Sequence, residues 1–251
     1  MSEYQLGLVS VSFRGHSPEQ IVKAAAHAKI RCIEWGSDVH APCRDMERLC
    51  EIVRLQKAYG LVCSSYGTYF RLGQTPLSEL PDYIRAAKLL ETDVLRLWCG
   101  TKSGRDMTQE EKVWLFAQCR EAAEIAKHYG VTLCTECHRG TLTERAEDTL
   151  ELMRAVDSPH FQTYWQPFQW LDAAGSLEVA KAVAPYIRHV HVFNWKGEKK
   201  LPLSNAIPEW RAYLDVLPAG GALLLEFMPD GRMESLCAEA EALRRIVGED
   251  Q

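Results

Sequence analysis

The sequence predicts an α/β protein, a single (β/α)8 TIM barrel forming one domain over residues 1–251. Three observations predict it. Short apolar, β-branched runs alternate with longer amphipathic ones eight times, and 251 residues is the length one such barrel takes. No linker, low-complexity run or shift in composition divides the chain. The rival architecture, a doubly wound sheet, needs fewer strands and usually a glycine-rich first turn, which FRGHSP (13–18) does not supply.

The expected strands are 6–13 (LGLVSVSF), 30–36 (IRCIEWG), 61–67 (LVCSSYG), 93–99 (DVLRLWC), 131–137 (VTLCTEC), 161–166 (FQTYWQ), 187–193 (IRHVHVF) and 222–227 (ALLLEF). Each is short and rich in Val, Ile, Leu and aromatic residues, as a strand buried on both faces requires. Helical periodicity fills the intervals at 18–29, 44–60, 110–130 and 234–248, among others. Pro18 suits a first helical turn, and Gly60 and Gly130 suit helix ends just before the next strand.

Composition narrows the function. With 47% hydrophobic and 25% charged residues the chain reads as an ordinary globular protein. A net charge of −5 gives no reason to expect nucleic acid as a partner. No apolar run approaches the ~18 residues of a membrane span, and MSEYQLGLVSVSFRG lacks the basic and apolar regions of an export signal. A cytoplasmic location is the expectation, with the nine cysteines as reduced thiols.

Residues 134–138, CTECH, spell both a haem-attachment signature and a redox or zinc motif. Strand geometry opposes all of these. Residues at i and i+2 share a face, so Cys134, Glu136 and His138 point one way and Cys137 the other. The two cysteines are therefore expected to form neither a disulfide nor a shared ligand set. What remains is a carboxylate at a strand's C-terminal end, where barrels carry their active sites.

Two other strands end in the same manner. RHVHVFNW aligns His189 with His191, and ALLLEFMP sets Glu226 in opposite phase to Leu225 and Phe227. The sixth strand aligns Gln162, Tyr164 and Gln166. Glu136, His191 and Glu226 are thus expected at one rim. A Glu in an apolar strand is costly without a partner, and two that face each other repel; a divalent cation would relieve both problems. Trp35, Tyr66, Trp98, Trp165 and Trp195 fall near the same mouth and suit stacking on a sugar. Arg96 shares a face with Trp98 and could bind a substrate oxygen or stabilise a neighbouring carboxylate. Lys196, Lys199 and Lys200 could hold a phosphate or form a solvated basic loop.

GLVSVSF (7–13), IEWGSDVH (33–40), TECHRGTLTE (135–144), HVHVFNW (189–195) and LLLEF (223–227) occur in an order and spacing that resembles the xylose isomerase-like barrels. That group of sugar phosphate isomerases and epimerases also contains endonuclease IV, and the resemblance covers essentially the whole chain. It implies a divalent metal (Mn, Zn, Co or Mg) on Glu136, His191 and Glu226. The family's Asp and His of the sixth strand are Gln166 and Gln169 here, and an Asp three residues after the metal-binding His is Asn194. Gln166 would then be a fourth, neutral ligand through its amide oxygen.

The resemblance further implies a sugar or sugar phosphate isomerase or epimerase, with Glu136 and Glu226 as acid/base pair across an enediolate. His138, Arg96, Trp98, Trp35, Tyr66, Trp195 and Lys196 are the expected substrate contacts. A lyase or dehydratase acting on a keto-sugar or keto-cyclitol would use the same pair. The departures at 166 and 194 also admit a non-catalytic sugar-binding barrel, and they argue against a nuclease, which needs further His and Asp ligands. The expected partner is a small-molecule sugar, with homo-oligomerisation allowed and membranes excluded.

Overall fold

A computed structural model describes residues 4–249. Eight parallel strands close a barrel among these residues: β1 (Gln5–Val9), β2 (Cys32–Gly36), β3 (Val62–Leu72), β4 (Val94–Cys99), β5 (Thr132–Thr135), β6 (Phe161–Trp165), β7 (Ile187–Val192) and β8 (Ala222–Leu225). Each pairs with its neighbour in sequence, and β8 closes on β1 with Leu8 opposite Leu225. The helices that follow are α1 (Pro18–His27), α2 (Met46–Ala58), α3 (Leu80–Leu89), α4 (Gln109–Tyr129), α5 (Ala146–Val156), α6 (Ala173–Val183), α7 (Ile207–Leu214) and α8 (Leu236–Ile246).

Local chemistry sets the helix ends. Ser17 and Gln20 satisfy each other's backbone N–H groups ahead of α1, with Pro18 in the first turn, and Thr108 and Glu111 do the same for α4. Gly130 ends α4 at φ 61°, in open space, where a side chain would be strained by the backbone alone.

Strand phase builds two cores. Leu8, Ile33, Trp35, Leu95, Leu97, Leu133, Trp165, Val190 and Leu225 face outward and pack under the helices. Val9, Val11, Cys32, Val94, Cys134, Tyr164, Ala222 and Leu224 face inward and fill the barrel. Gly7 belongs to this inner wall, because a Cβ there would meet Leu224 and stand 2.6 Å from Cys32 Sγ.

Several boundaries differ from expectation. β1 stops at Val9, and Ser10–Phe13 form a 3-10 turn that bends the chain over the rim. β3 runs on to Leu72 with a register shift between Gly67 and Arg71, which lifts Tyr69 toward the mouth. Trp195–Lys196 and Lys199–Lys200 form a small antiparallel hairpin beside the opening. Cys134 lies in the inner core, whereas the Cys137 sulfur sits 3.8 Å from Thr163 Oγ1, and both are free thiols. No helix among the described residues is long and apolar enough to cross a membrane.

Candidate active site

Inward positions at the C-terminal ends of the strands are polar, the reverse of the apolar layer beneath them. β2 supplies Glu34, β4 Arg96 and Trp98, and β7 His191; Glu136, Gln166 and Glu226 each follow directly on β5, β6 and β8. The N–H of Glu136 still donates to Leu97 O at 3.0 Å and that of Glu226 to Val192 O at 3.0 Å, so both sit on the barrel frame rather than on loose loops.

Arg96 organises the acids. Its Nε donates to Glu34 Oε1 at 2.8 Å and its Nη1 to Glu136 Oε2 at 2.5 Å, with the guanidinium 4% exposed. Trp98 Nε1 donates to the same Glu136 oxygen at 2.6 Å, and Ser65 Oγ to Glu34 Oε2 at 2.9 Å. Gly67 makes room for the Glu34–Arg96 pair: a Cβ there would stand 2.7 Å from Glu34 Oε1 and 2.8 Å from Arg96 Nη2.

Burial and charge pull these groups apart in acidity. Burial works to raise the Glu34 and Glu136 carboxyls, but Arg96 and then His191 outweigh it and hold both low. Burial pushes Glu226 up to about 7, with His191 opposing and the Glu136 charge adding to the rise. Burial works to lower His191, and Glu226, Glu34 and Glu136 together reverse the sign and raise it. The site thus holds two carboxylates fixed as anions, Glu34 and Glu136, and a third, Glu226, that titrates near neutrality.

His191 Nδ1 lies 3.0 Å from Gln166 Oε1, 3.4 Å from Glu226 Oε2 and 3.7 Å from Glu136 Oε1. Gln166 is held in this orientation because its Nε2 donates to Cys137 O at 2.8 Å. Donor atoms around a divalent ion with bonds near ~2.1 Å lie about 3.0–3.4 Å from one another, so the Gln166 and Glu226 spacings are those of neighbouring donors, whereas Glu136 at 3.7 Å stands farther off. Glu226 Oε2 is buried without a hydrogen-bond partner, as an atom awaiting such an ion would be. Among the described residues no three or more His, Cys, Asp and Glu side chains are grouped so as to hold a metal ion.

Above the acids opens a cavity of about 260 Å³ lined by Tyr69, Trp98, Phe168, Trp170, Trp195 and Phe227, among others. Trp98 stacks on His138 (centroids 4.8 Å apart, planes at 30°) and Phe168 on Trp170 (4.9 Å, 22°). The family profile of the xylose isomerase-like TIM barrel matches residues 22–246. The chain belongs to that family. Among curated proteins this xylose isomerase-like barrel is similar to 3-dehydroshikimate dehydratase of Bacillus anthracis, 27% identical over 109 residues, which are 43% of this chain and 39% of that protein's length. Among solved structures it is similar to the probable 3-DHS dehydratase AsbF, involved in petrobactin synthesis in Bacillus anthracis (TM-score 0.75, 20% identity, 97% of this chain and 98% of that one). D-psicose 3-epimerase of Clostridium cellulolyticum H10, solved with D-tagatose, is also similar (TM-score 0.71, 12% identity, 97% and 99% covered). At such identities the solved structures share the fold.

Among the expected contacts, Arg96, Trp98, His138 and Trp195 line the cavity with Glu136, Gln166 and Glu226. Trp35 and Tyr66 do not. Glu34 and Ser65 take the inward phase, so their neighbours turn toward the helices, where Trp35 Nε1 donates to Gln56 and Tyr66 OH to Ala41 O at 2.6 Å. Trp165 likewise packs outward on Trp210 and Tyr213. Lys196 lies outside the cavity lining, where it pairs with Glu209 at 2.9 Å. Asn194 turns away as well, its Nδ2 donating to Pro202 O at 2.9 Å. Glu34 is the member of the site that sequence reasoning missed. Its signal was present, since it is a Glu in the middle of an apolar strand.

Proposed function

We propose that this xylose isomerase-like barrel is an enzyme that removes the proton beside the carbonyl of a small polyhydroxylated ketone. The convergence of Glu136 and Glu226 on the His191 nitrogen, at 3.7 and 3.4 Å, carries the reading, since a ligand lying there meets two carboxylates. Glu136, kept anionic by Arg96 and oriented by Trp98, is the base that takes the C–H proton. Glu226, the second carboxylate at His191, supplies the second proton. The aromatic walls and the acids' depth below the rim exclude water from the enolate.

Glu136, Gln166, His191 and Glu226 would hold a divalent ion. When bound, it would polarise the carbonyl and offset the charge of the enolate. With two carboxylates and an amide oxygen, the ion would be held less tightly than by three carboxylates.

The fate of the enolate defines the reaction. Dehydration is the favoured outcome, because the curated relative that matches part of this chain is a dehydratase. Glu226 then protonates a β-hydroxyl, the C–O bond breaks as the enolate electrons form a C=C bond, and water leaves. Epimerisation is the second reading, supported by the presence of two carboxylates at the site: Glu226 would return a proton to the opposite face.

The test incubates purified protein, reconstituted with Mn²⁺, with 3-dehydroshikimate and with D-psicose in D2O. Mass spectrometry reads loss of water, and NMR reads deuterium at the epimerised carbon. Glu136→Gln should abolish whichever is found. Turnover that survives Glu136→Gln, or absence of both products, would falsify the proposal. Calorimetric titration with Mn²⁺ tests the ligand set, and Gln166→Asp should tighten binding because it adds an anion in a partly dry site.

A further inference from the structure

We infer that Arg139 is an anion-binding subsite at the cavity mouth, and that the molecule turned over carries a carboxylate or phosphate at the end remote from its carbonyl. This deepens the proposed function and rests on it.

The other cations of the cavity wall are already engaged. Arg96 is spent on Glu34 and Glu136. Arg14 gives Nε to Asp38 at 3.0 Å, Nη1 to Val11 O at 3.1 Å and Nη2 to Tyr69 OH, so its charge is paired and each nitrogen already donates once. Arg139 also lines the cavity, and among the described residues its guanidinium has neither an ion pair nor a side-chain hydrogen bond. The neighbouring acid is committed elsewhere: Glu144 accepts from Gly140 N at 2.8 Å and from Arg105 Nη2 at 3.3 Å.

Arg139 is exposed, and the backbone that carries it is tied down by hydrogen bonds. His138 Nδ1 lies 2.7 Å from Arg139 O while its ring stacks on Trp98. Thr141 Oγ1 donates to His138 O at 2.6 Å, and Thr143 Oγ1 to Glu136 O at 2.5 Å. The free fork therefore hangs from a segment fixed to the same backbone as Glu136, three residues away. Trp170 flanks it, lining with Arg139 both this cavity and the adjoining cleft.

The cavity is thus polarised along its depth, with Glu136 and Glu226 below and an unspent guanidinium above. A neutral polyol leaves that guanidinium unused. An anion at the end of the ligand remote from the acids satisfies it bidentately, a geometry Arg fits and Lys does not. It also fixes which end of the ligand faces the acids.

The experiment is calorimetric titration of Mn²⁺-reconstituted protein with three probes: quinate (a ring carboxylate), D-fructose 6-phosphate and neutral D-fructose. At least one anionic probe should bind about tenfold or more tightly than D-fructose, and lose about tenfold in Arg139→Gln, as expected of a charge-assisted pair at a half-open site. Arg139→Lys should lose less, and D-fructose should be indifferent to both. Preference for quinate identifies a carboxylate, and preference for D-fructose 6-phosphate a phosphate. Anion affinity within twofold of wild type in Arg139→Gln, or no anionic preference at all, overturns the inference. Binding in Glu136→Gln separates the two proposals: anion affinity retained there, with Arg139 sensitivity, supports the subsite even if turnover assays on the wild type fail.

Discussion

Glu34 has a larger part in the site than its absence from the ligand set suggests. Its carboxylate is fully buried, and it is tied to Arg96, to Ser65 and, at 3.6 Å, to His191 Nε2. Removing it in Glu34→Ala leaves Arg96 with Glu136 alone in a dry setting, a change that costs roughly 3–5 kcal/mol when a buried pair loses one member. Urea denaturation should show that loss, and turnover should fall with it because Glu136 loses its aim. The double variant Glu34→Leu, Arg96→Met should not recover stability, because it strands the buried Glu136 carboxylate without its guanidinium. A drop under about 1 kcal/mol in Glu34→Ala would show the pair to be ornamental. Glu136, Gln166, His191 and Glu226 were legible from strand phase, and Glu34 obeys the same rule within IRCIEWG. Its bond to Arg96 was not legible, because a contact 62 residues apart depends on registers, and the register slips between Ile33 and Glu34.

Elements were readable where local chemistry decides them and less so where neighbours do. The caps at Ser17 and Thr108 and the left-handed Gly60 and Gly130 are written in adjacent residues. The extension of β3 past Gly67 comes from pairing with β4, and the hairpin beside Trp195 is held by Lys200 over the Trp195 and Phe227 rings, which no periodicity reports. β7 also carries a titratable tie to its neighbours. His189 Nδ1 accepts from Ala222 N on β8 at 3.0 Å, so its proton is on Nε2, 3.3 Å from Ser64 O on β3. Burial, then the Arg188 charge, pushes this imidazole down to about 4. The folded state therefore disfavours the charged ring. Its contribution is complete above the unfolded value near ~6.5 and is lost as pH falls toward 4, by up to roughly 3 kcal/mol. Urea midpoints between pH 7 and 4.5 should fall more steeply in wild type than in His189→Asn, and parallel slopes would count against a ring buried in its neutral form.

At the scale of the molecule, eight alternations were enough to predict the barrel, since a parallel sheet of this length has few other ways to hide both faces. The cavity was harder to foresee. Its walls bring together residues from the loops after β5, β6, β7 and β8, and loop paths are not periodic. Trp35 and Tyr66 show the cost of a one-residue phase error, which moves a side chain from the site to the helix layer. The plugged interior has a kinetic corollary. Val9, Cys32, Cys134, Tyr164 and Leu224 are sealed from solvent directly beneath the acids, so the chamber is a blind pit with one door. Whatever enters last must leave first, and a ligand resting on Glu136 and Glu226 acts as a stopper over anything lodged at His191. Chelator stripping of Mn²⁺ from the loaded protein should therefore slow in proportion to occupancy of the pit by a competing ligand; stripping that ignores occupancy would reveal a back exit through the floor.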